Sequence, residues 1–137
     1  MSAFRIATFN LENLGDLAGD AAALEERVLA LRPQLLRLNA DILCLQEVNA
    51  QSEAHRGRSL RALEALLRET PYAGFHRAVT TSASGGKPRD VHNLVILSRP
   101  KILASREYLN DLVPCPAYRP QLIYVLAFPL MELGGLV

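Results

Sequence analysis

Two short apolar runs, at residues 4–9 and 42–46, each lead into amide or carboxylate side chains, and a single amphipathic stripe lies between them. In the first run Ile6 and Thr8 alternate with Ala7 and Phe9, the period of two that marks a strand, and Asn10 stands at its carboxyl end. In the second, Ile42, Leu43, Cys44 and Leu45 pass without a break into Gln46 and Glu47, as in a strand covered on both faces. Between them Leu24, Val28, Leu31, Leu35 and Leu38 recur at intervals of four and three, so residues 21–38 present one apolar stripe of a helix. Asp20 is its expected cap. Pro33 is expected to kink it, because the ring removes a donor and crowds the preceding turn. Strand, helix and strand in this order form a βαβ-like unit, and Asn10, Glu12 and Glu47 would then meet at one sheet edge.

Past Glu47 the pattern changes. Ser59 is the expected cap of a second helix in which Leu60, Leu63, Leu66 and Leu67 share a face, and Pro71 ends it. Residues 74–79, 92–97 and 102–107 read as strands, the last two joined by a short connection that favours a hairpin. Residues 11–20 and 80–90 have the composition of loops, and residues 122–128 are a candidate last strand. No repeat or linker divides the chain.

At 137 residues, with 50% hydrophobic and 21% charged side chains, the chain is of single-domain length and can bury a real core. Its formal charge of +1 excludes a bulk electrostatic field for nucleic acid or membrane, so a polyanionic substrate would have to be met locally. Arg56, Arg58, Arg61 and Arg68, with His55, are interleaved with Glu53, Glu64 and Glu69 and read as a solvated helix face. Cys44 and Cys115 make neither a disulfide framework nor a metal-ligand spacing. With no charged and then apolar leader at the amino terminus, the expected location is cytoplasmic. No membrane span is expected, because residues 121–137 are interrupted by Pro129 and Glu132 and fall short of the about 20 apolar residues a spanning helix needs.

Mg²⁺ takes oxygen ligands, keeps several waters and is commonly held by one or two carboxylates together with a substrate phosphate. Glu47, at the end of a buried strand, is the strongest candidate ligand. Asn10, at the end of the neighbouring strand, can orient a carboxylate or a phosphate oxygen, and Glu12 lies two residues on. From position alone, Glu47 also reads as a solvated strand-end carboxylate and Asn10 as an Asx-type turn.

TFNLENLGD, the striped helix, ADILCLQEVN and HNLVILSR, in that order across most of residues 4–107, resemble the amino-terminal half of the endonuclease/exonuclease/phosphatase superfamily, the deoxyribonuclease I-like phosphodiesterases. The resemblance implies an α/β (α+β) fold, the amino-terminal part of a four-layer α/β/β/α sandwich with mixed sheets. It implies hydrolysis of a phosphate ester assisted by Mg²⁺ or Mn²⁺, with Asn10 and Glu47 as catalytic residues of the metal site, Glu12 as a further ligand and Asn93 as a substrate contact. The substrate class, whether nucleic acid, phospholipid head group or inositol phosphate, stays open. The family also uses a Gly-Asp-x-Asn segment and a Ser-Asp-His segment, and this sequence contains neither. Residues 1–137 are therefore expected to form one partial, truncated domain. The alternative function is that of an inactive fragment serving as a binding or interaction module. In either case the sheet face turned away from the helices would be partly uncovered and open to self-association.

Overall fold

The computed structural model describes residues 4–15, 21–53, 57–82 and 86–107, and the chain divides into two compact units, Met1–Lys101 and Ile102–Val137. In the first unit, strand β1 (Ile6–Leu14) is followed by helix α1 (Ala21–Leu38) and strand β2 (Ile42–Val48). Two short strands, β3 (Gln51–Glu53) and β4 (Gly57–Ser59), form a separate antiparallel pair. Helix α2 (Arg61–Leu67), a 3₁₀ turn (Pro71–Gly74) and strands β5 (His76–Val79) and β6 (Asn93–Ser98) complete the order. The main sheet runs β1-β2-β6-β5, with β1 and β2 parallel and the other neighbours antiparallel. Among the described residues no helix is long and apolar enough to cross a membrane.

The βαβ reading holds with the helix at the expected bounds, and α1 continues through Pro33 as one element. All five stripe residues belong to the core, Val28 and Leu35 buried and Leu24, Leu31 and Leu38 packed against them. The same core receives Ala7, Phe9, Leu43, Leu45, Val95 and Leu97 from one face of the sheet and Ala62, Leu63, Leu66 and Leu67 from α2. Period-two alternation in the strands and the stripes of both helices thus converge on one face.

Three local expectations give way to tertiary contacts. The first strand does not stop at Phe9 but runs on to Leu14, so residues 11–14 are strand rather than loop. Ser59 belongs to β4. The amino end of α2 is instead served from a distance, the Ala62 N–H donating to the Gln51 side-chain oxygen at 2.9 Å. Residues 102–107 form no strand. The hairpin partner of β6 is β5, and with β2 on its other side β6 has no free edge for a third neighbour. Asp20 and residues 122–128 lie outside the described residues.

The outer face of the sheet is uneven. Along β1 Ile6 is 63% exposed and Thr8 is exposed, whereas Ile42 and Ile96 at the centre are buried. Cys44 shares that face, and its partial burial raises the thiol pKa, keeping it protonated.

Two polar ties close the unit. Asp41 accepts the Arg5 N–H at 2.7 Å and pairs with Arg99, joining the starts of β1 and β2 to the end of β6. Asn39, at φ 43°, ends α1 in the left-handed conformation, and the buried Tyr72 hydroxyl accepts the Ala40 N–H at 2.9 Å while donating to the Leu35 carbonyl at 3.1 Å. Replacing Tyr72 by Phe leaves the buried Ala40 N–H without its acceptor. The expected cost is about 1–3 kcal/mol in a denaturant titration, and no loss would show that this tie is not needed.

Candidate metal centre

Strict alternation would place Ala7, Phe9, Leu11 and residue 13 of β1 on the core face, yet the buried residue after Leu11 is Leu14. In β2 the sequence is the same: Leu43 and Leu45 are buried, and the next core residue is Val48. Each strand therefore changes parity once, at the same level of the sheet. The β1–β2 register is regular to Asn10↔Gln46 and resumes at Leu14↔Val48, and the β2–β6 register shifts between Leu45 and Val48. Such bulges bend a strand and re-aim the side chains within it. Four residues here take left-handed backbone: Glu12 (φ 48°), Asn13 (58°), Glu47 (57°) and, where β6 begins, His92 (54°). For side chains other than Gly, each such residue costs of the order of 1–3 kcal/mol and persists only where its surroundings hold it.

A connected set of hydrogen bonds holds these. Asn10 Nδ2 donates to Glu47 Oε1 at 2.9 Å, and Asn10 Oδ1 accepts the Glu12 N–H at 2.7 Å. The Arg27 guanidinium, reaching from α1, donates to the carbonyls of Leu11 (2.6 Å), Glu12 (2.8 Å) and Asn13 (3.4 Å). His92 Nε2 lies 2.7 Å from Asn13 Oδ1, and the His92 N–H donates to Asn49 Oδ1 at 2.9 Å. Asn49 in turn donates its own N–H to the Leu14 carbonyl, and Gly15 packs close by, where a Cβ would stand a tight 3.2 Å from Asn49 Cβ.

Asn10 and Glu47 are therefore brought together, half-buried Glu47 beside exposed Asn10; Asn10, expected at a strand end, instead lies midway along β1 at the last regular pair before the bulge, and Glu47 lies one residue before the end of β2. Glu12 joins them through its backbone N–H, with an exposed side chain. Asn93 stands apart from them in kind. It is fully buried, donates to the Val48 and Arg89 carbonyls at 2.9 Å each, and accepts from the Thr80 hydroxyl (3.2 Å) and the Arg89 N–H (2.8 Å). Both donors and both acceptor positions of its amide are engaged, so in this structure it ties the loop before β6 to the end of β2. The sequence marks His92 as a structural residue at a strand start that could lie near the site, but gives no sign of Arg27 or Asn13 as parts of this constellation, although Leu-x-x-Leu at Leu11 and Leu14 and Leu-x-x-Val at Leu45 and Val48 carry the broken alternation in plain letters.

Among the described residues no three His, Cys, Asp or Glu side chains lie close enough to hold a metal by themselves. What is present is an incomplete oxygen set: one oriented carboxylate, a neighbouring amide and a nearby acid. That set fits a hard cation of the Mg²⁺ kind, which completes its shell with water and substrate oxygen, and not a soft-metal cage.

A model of the Endonuclease/Exonuclease/phosphatase family matches residues 7–130. The chain belongs to the endonuclease/exonuclease/phosphatase family. Its fold is also that of a solved endonuclease/exonuclease/phosphatase family protein from Leptotrichia buccalis C-1013-b, with a TM-score of 0.51 and 22% sequence identity. That likeness covers 81% of this chain and 43% of the other, so the chain spans less than half the length of that structure. No curated protein matches the chain. Family membership supports a nuclease- or phosphatase-like hydrolase fold, and the family generally depends on divalent metal.

Substituting Asn93 by Ala should unpair the Val48 and Arg89 carbonyls inside the protein and cost about 1–3 kcal/mol of stability in a denaturant titration. An unchanged midpoint would remove Asn93 from the role of a structural tie.

Proposed function

We propose that this chain carries the cation-holding part of a site for Mg²⁺- or Mn²⁺-assisted hydrolysis of a phosphate ester, with Glu47 as the carboxylate ligand. The observation that supports this most is the 2.9 Å hydrogen bond from Asn10 Nδ2 to Glu47 Oε1 at the paired bulges. Bonding at Oε1 orients the carboxylate and leaves Oε2 for a cation. Asn10 acts on this reading as the orienting partner of Glu47, since its own oxygen is engaged by the Glu12 N–H. Glu12, exposed and on a left-handed turn, is the more replaceable ligand, because water can take its place in a Mg²⁺ shell. When bound, the cation would supply Lewis-acid charge to a phosphoryl oxygen.

The residues of the chain bind and orient. Activation of water and stabilisation of the charge that develops on phosphate call for an acid–base pair, and the sequence holds no Gly-Asp-x-Asn and no Ser-Asp-His segment to supply one. The 137-residue chain should therefore bind the cation without turning over an aryl phosphodiester. Nucleic acid, phospholipid and inositol phosphate are the substrate classes to compare in the context of any longer form.

Titration of the purified chain with Mn²⁺ is the test. Binding should be saturable, and Glu47→Gln should weaken it by at least the roughly 10–100-fold that loss of an outer-shell partner costs, with a smaller loss for Glu12→Gln. Equal affinity in Glu47→Gln, or a larger loss in Glu12→Gln, would overturn this assignment.

A further inference from the structure

We infer that Arg27 is a positioning residue for the Glu47 carboxylate, acting from α1 through the turn that carries Glu12 and through the side chain of Asn10. This rests on the proposed role of Glu47 as a cation ligand.

Three consecutive carbonyls, those of Leu11, Glu12 and Asn13, converge on one guanidinium. Consecutive carbonyls of an extended strand point to opposite sides and could not do so. The left-handed conformations at Glu12 and Asn13 turn them the same way. Arg27 is suited to hold that turn because its planar fork offers several N–H donors in fixed directions, which a lysine ammonium does not. It is partly buried, projecting from the same helix whose Val28 and Leu35 are anchored in the core, so the donor group is tied to the rigid part of the unit.

From the turn the connection continues without a gap. The Glu12 N–H donates to Asn10 Oδ1, which fixes the amide so that Nδ2 faces Glu47 Oε1. A freely rotating Asn10 would present oxygen or nitrogen to the carboxylate, and oxygen would repel it. Arg27 thus touches neither the carboxylate nor the cation, yet it holds the turn that sets which end of the Asn10 amide they meet.

Arg32 provides an internal comparison. It also projects from α1 and donates to carbonyls, those of Ala65 (2.8 Å) and Leu66 (3.2 Å), but these belong to α2 and not to the turn bonded to Asn10. A general loss of stability should follow from either arginine. Only Arg27 should alter the cation site.

The experiment uses the full 137-residue chain and reads Mn²⁺ affinity together with hydrogen exchange of the Glu12 amide in the absence of metal. Arg27→Gln should weaken Mn²⁺ binding about tenfold and speed exchange at Glu12, with Arg27→Lys recovering part of both. Arg32→Gln should lower the melting temperature and leave both readings as in the unsubstituted chain. If Glu47→Gln weakens Mn²⁺ binding but Arg27→Gln does not, the inference about Arg27 falls while the assignment of Glu47 stands. If Glu47→Gln has no effect, the assignment of Glu47 falls and takes this inference with it. Unchanged Glu12 exchange in Arg27→Gln would overturn the inference whatever the metal does.

Discussion

The carboxamide of Asn10 is bonded at both ends, through Nδ2 to Glu47 Oε1 and through Oδ1 to the Glu12 N–H, and the sheet edge is built to permit this. An Asn and a Glu at regular positions of adjacent parallel strands would not be so aligned. After the regular pair Asn10↔Gln46 the irregularities leave Glu12, Asn13 and Glu47 out of the ladder, and Leu14↔Val48 returns both strands to the core. Burial of Leu11, Leu14, Leu45 and Val48, each at most 1% exposed, supplies the stabilisation that offsets four left-handed residues. The strain and the site are thus consequences of one arrangement.

That arrangement depends in turn on packing from the opposite side. The α1 stripe covers the inner face of β1 and β2, and Arg27, one residue before buried Val28, is carried by that packing to the carbonyls of the β1 turn. The Asn93 amide and the Asp41 carboxylate tie β6 to β2 near its two ends. Together these contacts explain how a unit with one strongly packed face can still hold polar side chains in fixed directions at its edge.

Much of this was legible in the letters of the chain. The spacing from Leu24 to Leu38 defines α1, and the parallel strands bring Asn10 and Glu47 together as the sequence suggests, although Asn10 lies midway along β1 rather than at its end. What escaped was nonlocal or irregular. Gln51 serves the amino end of α2 from another strand, which no local capping rule anticipates. β6 pairs with β5 across a long connection, although a short one on its other side read as a hairpin. The extension of β1 to Leu14 was hidden because Glu12 and Asn13 look like loop residues, and they are, conformationally, while the strand goes on around them. The family motifs TFNLENLGD and ADILCLQEVN carry the same broken alternation, so here resemblance and physical pattern rest on the same residues.

On the proposed function, Glu47 is the carboxylate that would hold the cation. Crystals of the chain soaked in Mn²⁺ and measured near the manganese edge would test this most directly. An anomalous peak is expected within bonding distance of the Glu47 carboxylate, with the Asn10 amide still on its other oxygen. A peak at other residues, or no peak beside a Glu47 that remains bonded to Asn10, would contradict it.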